Sequence, residues 1–256
     1  METKKDKRIA LVTGANQGIG YQVAKELAKN GIIVFIGSRD LKRGEIAAQE
    51  IGLGSIAVQL DVVDRKSIID AAETIKKQFG RLDLLVNNAG ISNTRMQRLG
   101  LSMVEYMDSA KASIASIDEI RFVWDTNVFG VLAVYQTMLP LLKESKDARI
   151  VNVSSTLGSL NLNADPNSSY SSFYNPVYAV SKTALNGISL SMMLELKDTA
   201  IKVNLVSPGF TKTAMTNFEG YESLEDGARE VVRVALLGPD GPTGTFTTWD
   251  NVHVPW

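Results

Sequence analysis

The sequence predicts an α/β fold, a doubly wound parallel β-sheet with helices on both faces, and three observations carry that prediction. Short apolar runs alternate with longer amphipathic ones along the whole chain. The apolar runs are continuous, as strands buried on both faces require. A glycine-rich turn, Thr13-Gly14-Ala15-Asn16-Gln17-Gly18-Ile19-Gly20, stands between the first apolar run and the first amphipathic stretch. The chain has 256 residues, 45% of them hydrophobic, and no linker, low-complexity tract or composition break, so 1–256 reads as one domain.

Taken in order, strands are predicted over 9–12, 32–36, 56–60, 82–86, 150–153 and 201–206, each short and rich in Val, Ile and Leu. Helices are predicted between and after them over 21–29, 43–51, 66–79, roughly 117–142, 177–196 and 222–237. Repeated strand–helix–strand units of this kind fold into a parallel sheet. Three stretches break the alternation, at about 91–116, 156–176 and 209–221, the second turn-rich around Asp165-Pro166-Asn167-Ser168-Ser169. All follow the C-terminal ends of strands, the edge where open α/β sheets bind ligands, and are expected to shape the substrate side.

Composition narrows the function. A net charge of −1 and a pI near 6.0 leave no basic field for nucleic acid or a membrane surface. The one basic cluster, Lys4-Lys5-Asp6-Lys7-Arg8, reads as a solvated leader. With no cysteine there is no disulfide, thiolate metal site or thiol catalysis, and His253 is the only histidine, so no metal site is expected. The chain has no apolar run of the roughly 18–20 residues that span a bilayer and no signal-peptide core, which predicts a cytoplasmic protein.

The glycines of the first turn let a backbone approach a pyrophosphate closely, and the following helix offers free N–H groups and partial positive charge. Tyr178 and Lys182 lie four apart in Tyr178-Ala179-Val180-Ser181-Lys182, on one face of a helix running through them. A fixed ammonium beside a phenol is expected to lower a pKa that is otherwise about 10, giving a proton donor and acceptor. Either pattern alone is weak, and Ser155, Asn127, Asp61 and Tyr178 each have a plain structural reading as a cap, a buried polar contact or a packing residue.

The spacing Gly-x-x-x-Gly-x-Gly, together with Asn87-Asn88-Ala89-Gly90, Asn127, Ser155 and Tyr178-x-x-x-Lys182, resembles the short-chain dehydrogenase/reductase family over essentially the whole chain. The opening Val-Thr-Gly-Ala-Asn-Gln-Gly-Ile-Gly, the ending from Gly241-Pro242-Thr243-Gly244 to Val254-Pro255-Trp256, and a stretched segment between Ser155 and Tyr178 resemble its carbonyl-reductase-like branch. The resemblance implies a Rossmann fold and a nicotinamide cofactor. Gly14, Gly18, Ile19 and Gly20 would cradle the pyrophosphate, with Asn16 stabilising the turn. Asp61 and Val62 would contact the adenine; Asn88, Ala89 and Gly90 would line the adenine ribose side; and Pro208, Gly209 and Thr213 would hold the nicotinamide end.

At the end of the second strand, Ser38 followed by Arg39 implies NADP(H) over NAD(H), because an acidic residue there would repel a 2′-phosphate while a guanidinium suits it. Gln17 stands where relatives carry Lys or Arg, and Asp40 would face the ribose if the register moved by one or two. The resemblance further implies catalysis by Asn127, Ser155, Tyr178 and Lys182. Tyr178 would be the acid/base, Lys182 would tune it and bind the nicotinamide ribose, Ser155 would hold the substrate oxygen, and Asn127 would stabilise a helix kink and a water. Ser155 is preferred to Ser154 because Ser155-x-x-Gly158 matches the family. Leu157, Phe210 and Met215 join Ser155 and Tyr178 as candidate substrate contacts, with Trp124 and Phe173 nearby.

The reading is an NADPH-dependent carbonyl reductase acting on a ketone or aldehyde of medium size, as monomer or homodimer. The alternatives are an NAD-dependent alcohol dehydrogenase, a non-catalytic dinucleotide sensor, or an epimerase or dehydratase on the same fold.

Overall fold

In the computed structural model, which describes residues 7–256, β1 (Ile9–Thr13) is buried at every position. Lys4, Lys5 and Asp6 of the basic cluster lie outside the described residues. Side chains of β1 alternate between two cores, as strand geometry requires. Ile9 and Leu11 join one with residues of the helices α3 (Arg65–Phe79), α7 (Val131–Lys143) and α9 (Ala179–Glu195). Ala10 and Val12 join the other with α1 (Gly18–Lys29), α2 (Leu41–Ile51) and α10 (Leu224–Ala235). The sheet is therefore covered on both faces.

The other strands are β2 (Ile33–Ser38), β3 (Ile56–Gln59), β4 (Leu84–Asn87), β5 (Arg149–Val153), β6 (Lys202–Val206), β7 (Phe246–Thr248) and β8 (Val252–His253). Their order is β3-β2-β1-β4-β5-β6-β7-β8, parallel throughout except for β7 against β8. The winding reverses between β1 and β4, where Val12 pairs with Val86. A crevice opens at such a point beyond the strand ends. It is there that the glycine turn leaves β1.

The six strands expected from sequence are present, and β7 and β8 are added to them. These two are only three and two residues long, joined through Asp250 and Asn251 at φ 53° and 65°, a left-handed turn that Asp and Asn tolerate. His253 is exposed on β8. The helix expected over 117–142 is interrupted: α6 (Ile117–Trp124) passes through a π-helical segment, Asp125–Gly130, into α7. The segment ends at Gly130, which packs against Val62 so closely that a Cβ there would stand 2.9 Å from it. The 91–116 stretch contains α4 (Met96–Leu99) and α5 (Met103–Ser109), packed with Val123 and Val177 into a small core of their own. The 156–176 stretch holds two 3₁₀ turns and α8 (Leu160–Ala164). Among the described residues, no helix is long and apolar enough to cross a membrane.

Arg149 is fully buried on β5 and donates to Asn204 Oδ1 at 2.9 Å, Pro242 O at 3.1 Å and Gly238 O at 3.0 Å. It thereby holds the turn that leads into β7. Arg149→Met would leave Asn204 Oδ1 without a donor in a dry site and remove one of two donors from Pro242 O and Gly238 O, and is expected to cost about 3 kcal/mol of stability, measured by urea denaturation.

Candidate active site

Beyond β1, Gly14 and Gly18 take φ +64° and +59°, a region that L side chains disfavour. A Cβ on Gly20 would meet Asn88 Nδ2 at 2.4 Å and Gly14 O at 2.6 Å. The turn is thus packed to backbone distance against the end of β4. Asn88 Nδ2 donates to Thr13 O at 2.9 Å and Gly14 O at 3.3 Å, while the Thr13 hydroxyl accepts the Asn88 and Ala89 N–H groups, both at 3.0 Å. Thr13, absent from the sequence-predicted site, ties its two halves together. At the start of α1 no side chain caps the helix, leaving its first N–H groups without a side-chain acceptor. The Ile19 side chain is partly buried and packs against the core.

Asn16 and Gln17 line a crevice of about 250 Å³ with Arg43, Ile46, Ala47 and Glu50. Ser38 is buried and its hydroxyl donates to Asp40 O at 2.7 Å, so it does not present a free group to a ribose. Arg39 is exposed. Asp40 caps α2, accepting the Arg43 N–H at 3.1 Å. Asp61 accepts the Val63 N–H at 3.1 Å in a tight turn, while Asp64 caps α3, and Val62 is buried against Gly130. Gly209 sits at φ +79° beneath the Trp249 ring, and Thr213 Cγ2 lies 3.8 Å from the position of a Cβ on Gly18.

The second half of the site gathers around α9. Tyr178 precedes its first residue with helical dihedrals (φ −96°, ψ −56°), so it still shares a face with Lys182. Lys182 is buried; its Nζ donates to Val153 O at 2.8 Å and lies 5.8 Å from the Tyr178 ring centre. Asn127 occupies the π segment, where its carboxamide accepts from Ile91 N at 2.9 Å and donates to Ile91 O at 2.8 Å and Ser181 Oγ at 3.0 Å. Gly90 stands between Asn127 and Lys182, a Cβ there falling 3.2 Å from Asn127 Oδ1 and 3.6 Å from Lys182 Nζ. The two adjacent serines differ: Ser154 is buried and bonded to Asn186 at 2.6 Å, whereas Ser155 is partly exposed and hydrogen-bonds Tyr178.

The electrostatics correct one expectation. Lys182 was expected to lower the Tyr178 phenol, but burial dominates both groups. It pushes the phenol up to about 12, offset in part by Ser155, and the Lys182 ammonium down to about 8. A neutral phenol at neutral pH is a proton donor ready for a developing alkoxide.

A family model described as short chain dehydrogenase matches residues 8–222. The chain belongs to the short-chain dehydrogenase family. It is 34% identical to (+)-neomenthol dehydrogenase of Arabidopsis thaliana, covering 93% of this chain and 95% of that one. It is 33% identical to (−)-isopiperitenone reductase of Mentha piperita, covering 96% and 97%. The structure of salutaridine reductase from Papaver somniferum superposes with a TM-score of 0.77 at 29% identity, covering 95% of this chain and 100% of that one.

Short-chain dehydrogenases are oxidoreductases that bind a nicotinamide dinucleotide. The residues here fit one: the glycine cradle has no room for a Cβ at Gly20, and the uncapped α1 start suits a pyrophosphate. On the other side of the cleft, Leu157 stands in the 3₁₀ turn after Ser155. Phe210 and Met215 are both exposed on a separate loop, and the Ser92 hydroxyl reaches across to donate to Met215 O at 3.1 Å. A cavity of about 360 Å³ lies between the 91–116 and 209–221 segments, lined by Met96, Gly100, Leu101 and Asn217. Trp124 is partly committed elsewhere, its indole N–H donating to Pro176 O at 3.2 Å.

Proposed function

We propose that this short-chain dehydrogenase is an NADPH-dependent carbonyl reductase acting on a ketone or aldehyde. The observation that carries the cofactor preference is the end of β2. Its own last residue, Ser38, is a buried serine rather than an acid, and the nearest carboxylate, Asp40, gives one oxygen to the start of α2. Arg39 is exposed at the residue after β2, and Arg43 lines the crevice with its guanidinium 3.8 Å from Asp40; a guanidinium suits a 2′-phosphate. Arg43 escaped the sequence reading; its place one turn into α2 was the available signal.

Ser155 holds the substrate carbonyl oxygen together with the Tyr178 hydroxyl. A nicotinamide dinucleotide held by the Gly14–Gly20 turn would supply the hydride that reaches the carbonyl carbon. Tyr178 gives its phenolic proton to that oxygen as charge develops there, and Lys182, close behind it, steadies the phenolate. Asn127 fixes the π segment and the Ile91 backbone in front of Lys182. The apolar side chains of the 91–116, 156–176 and 209–221 segments favour a neutral, mostly apolar substrate. Relatives named for neomenthol, isopiperitenone and salutaridine support a small-molecule substrate. The protein acts as a monomer or homodimer in the cytoplasm.

The test is oxidation of NADPH against NADH over a panel of aromatic and aliphatic carbonyls. Turnover favouring NADPH is the expected result, and Arg39→Glu should raise the NADPH KM about 10- to 100-fold while sparing NADH. Equal or better turnover with NADH in the unaltered protein would instead make it an NAD-linked alcohol dehydrogenase.

A further inference from the structure

Tyr178 stands just ahead of α9, so no preceding helical turn fixes its backbone. Asn175 does so instead. Its Oδ1 accepts the N–H groups of both Val177 and Tyr178 at 3.0 Å. Its Nδ2 donates to Phe173 O at 3.0 Å and lies 3.9 Å from Met107 Sδ. The side chain is 6% exposed, and its backbone carbonyl accepts from Val180 N at 3.1 Å. One carboxamide therefore joins the start of α9 to the 3₁₀ turn Ser171–Phe173 and to α5, two segments of the substrate side.

We infer that Asn175 is a positioning residue for the acid/base Tyr178, setting the direction in which its phenol enters the cleft. This rests on the proposed role of Tyr178. Two properties of the residue make it suited to this. An acceptor short enough to reach N–H groups two and three residues on is what a helix start requires. The second half of the group must be a donor, because it faces the Phe173 carbonyl; a carboxylate would meet that carbonyl with a lone pair and bring a negative charge toward a phenol already raised by burial.

The experiment compares Asn175→Ala with Asn175→Ser, which keeps an uncharged capping oxygen. Asn175→Ala is expected to lower kcat about 10- to 100-fold, with NADPH affinity and carbonyl KM changed less than about threefold. Asn175→Ser should recover most of that loss. A readout independent of turnover comes from protein labelled with 3-fluorotyrosine, the Tyr178 resonance being the one missing in Tyr178→Phe. In Asn175→Ala this ¹⁹F line should shift and broaden, and in Asn175→Ser it should return. A lower melting temperature with unchanged kcat per folded molecule and an unmoved ¹⁹F line would overturn the inference, leaving Asn175 as a cap alone. If the unaltered protein reduces no carbonyl, the functional reading fails, and the ¹⁹F line still decides whether Asn175 places the ring.

Discussion

Tyr178→Phe is expected to abolish carbonyl reduction, by about 10²- to 10⁴-fold in kcat, while leaving NADPH binding nearly intact. The substitution removes one oxygen and keeps the ring, so the start of α9 and its Asn175 cap remain. Lys182 keeps its bond to Val153 O, which does not involve the phenol. What disappears is the phenolic hydroxyl, and with it the proton that Tyr178 would donate and its contact with Ser155. Because burial holds that phenol up at about 12, it is protonated through the neutral range, and its loss should be felt equally at pH 6 and pH 8. Steady-state kinetics with a cofactor fluorescence titration would check this. Turnover comparable to that of the unaltered protein would remove Tyr178 from the role of acid.

Gly158→Ala should be nearly as damaging by a different route. A Cβ at Gly158 would lie 2.8 Å from the Lys182 carbonyl carbon, 2.9 Å from its Cβ and 3.0 Å from its oxygen. Backbone cannot rotate aside as a flexible side chain can, so α9 or the turn after β5 must move. Those two elements carry Lys182 and Ser155. The expected result is about 1–3 kcal/mol of lost stability and about 100-fold in kcat from misplacement by a fraction of an ångström to an ångström. Gly187→Ala is the control: it lies on the exposed side of α9 with no atom within 4 Å of the new Cβ, so activity should persist and stability rise by up to about 1 kcal/mol. Chemical denaturation and kcat on the two variants would separate the effects.

Gly158 illustrates what the sequence made legible and what it withheld. The serine–glycine spacing was visible as a family pattern, but its cause, contact with Lys182, lies 24 residues away and appears only on folding. Strands buried on both faces announced themselves through unbroken Val, Ile and Leu runs, and the glycine turn through its position. β7 and β8 did not, because three residues, Phe-Thr-Thr, and two, Val-His, are too short to set a period. Thr13 was hidden for another reason: a threonine ending a strand has many uses, and only the arrival of Asn88 and Ala89 gives its hydroxyl two donors. The direction of the Tyr178 shift depended on how much protein surrounds the pair, which spacing alone does not encode.

The π segment has one more consequence. Each residue of an α-helix turns the chain by about 100°, and a π turn accommodates roughly one extra residue without advancing the pattern of faces. α6 and α7 are therefore one rod with a slip in rotational phase. Before the slip, Ile120 and Val123 face the small core of the 91–116 segment; after it, Val131, Val134, Tyr135 and Met138 face the sheet. Asn127 sits at the slip, its carboxamide fastened to Ile91. Deleting a single residue between 125 and 130 would close the segment into an ordinary α-helical turn, keeping the faces of α7 but drawing Asn127 away from its bonds to Ile91. The amide proposed for catalysis is thus also the pin of a two-part key, and the length of that segment is fixed as firmly as its chemistry.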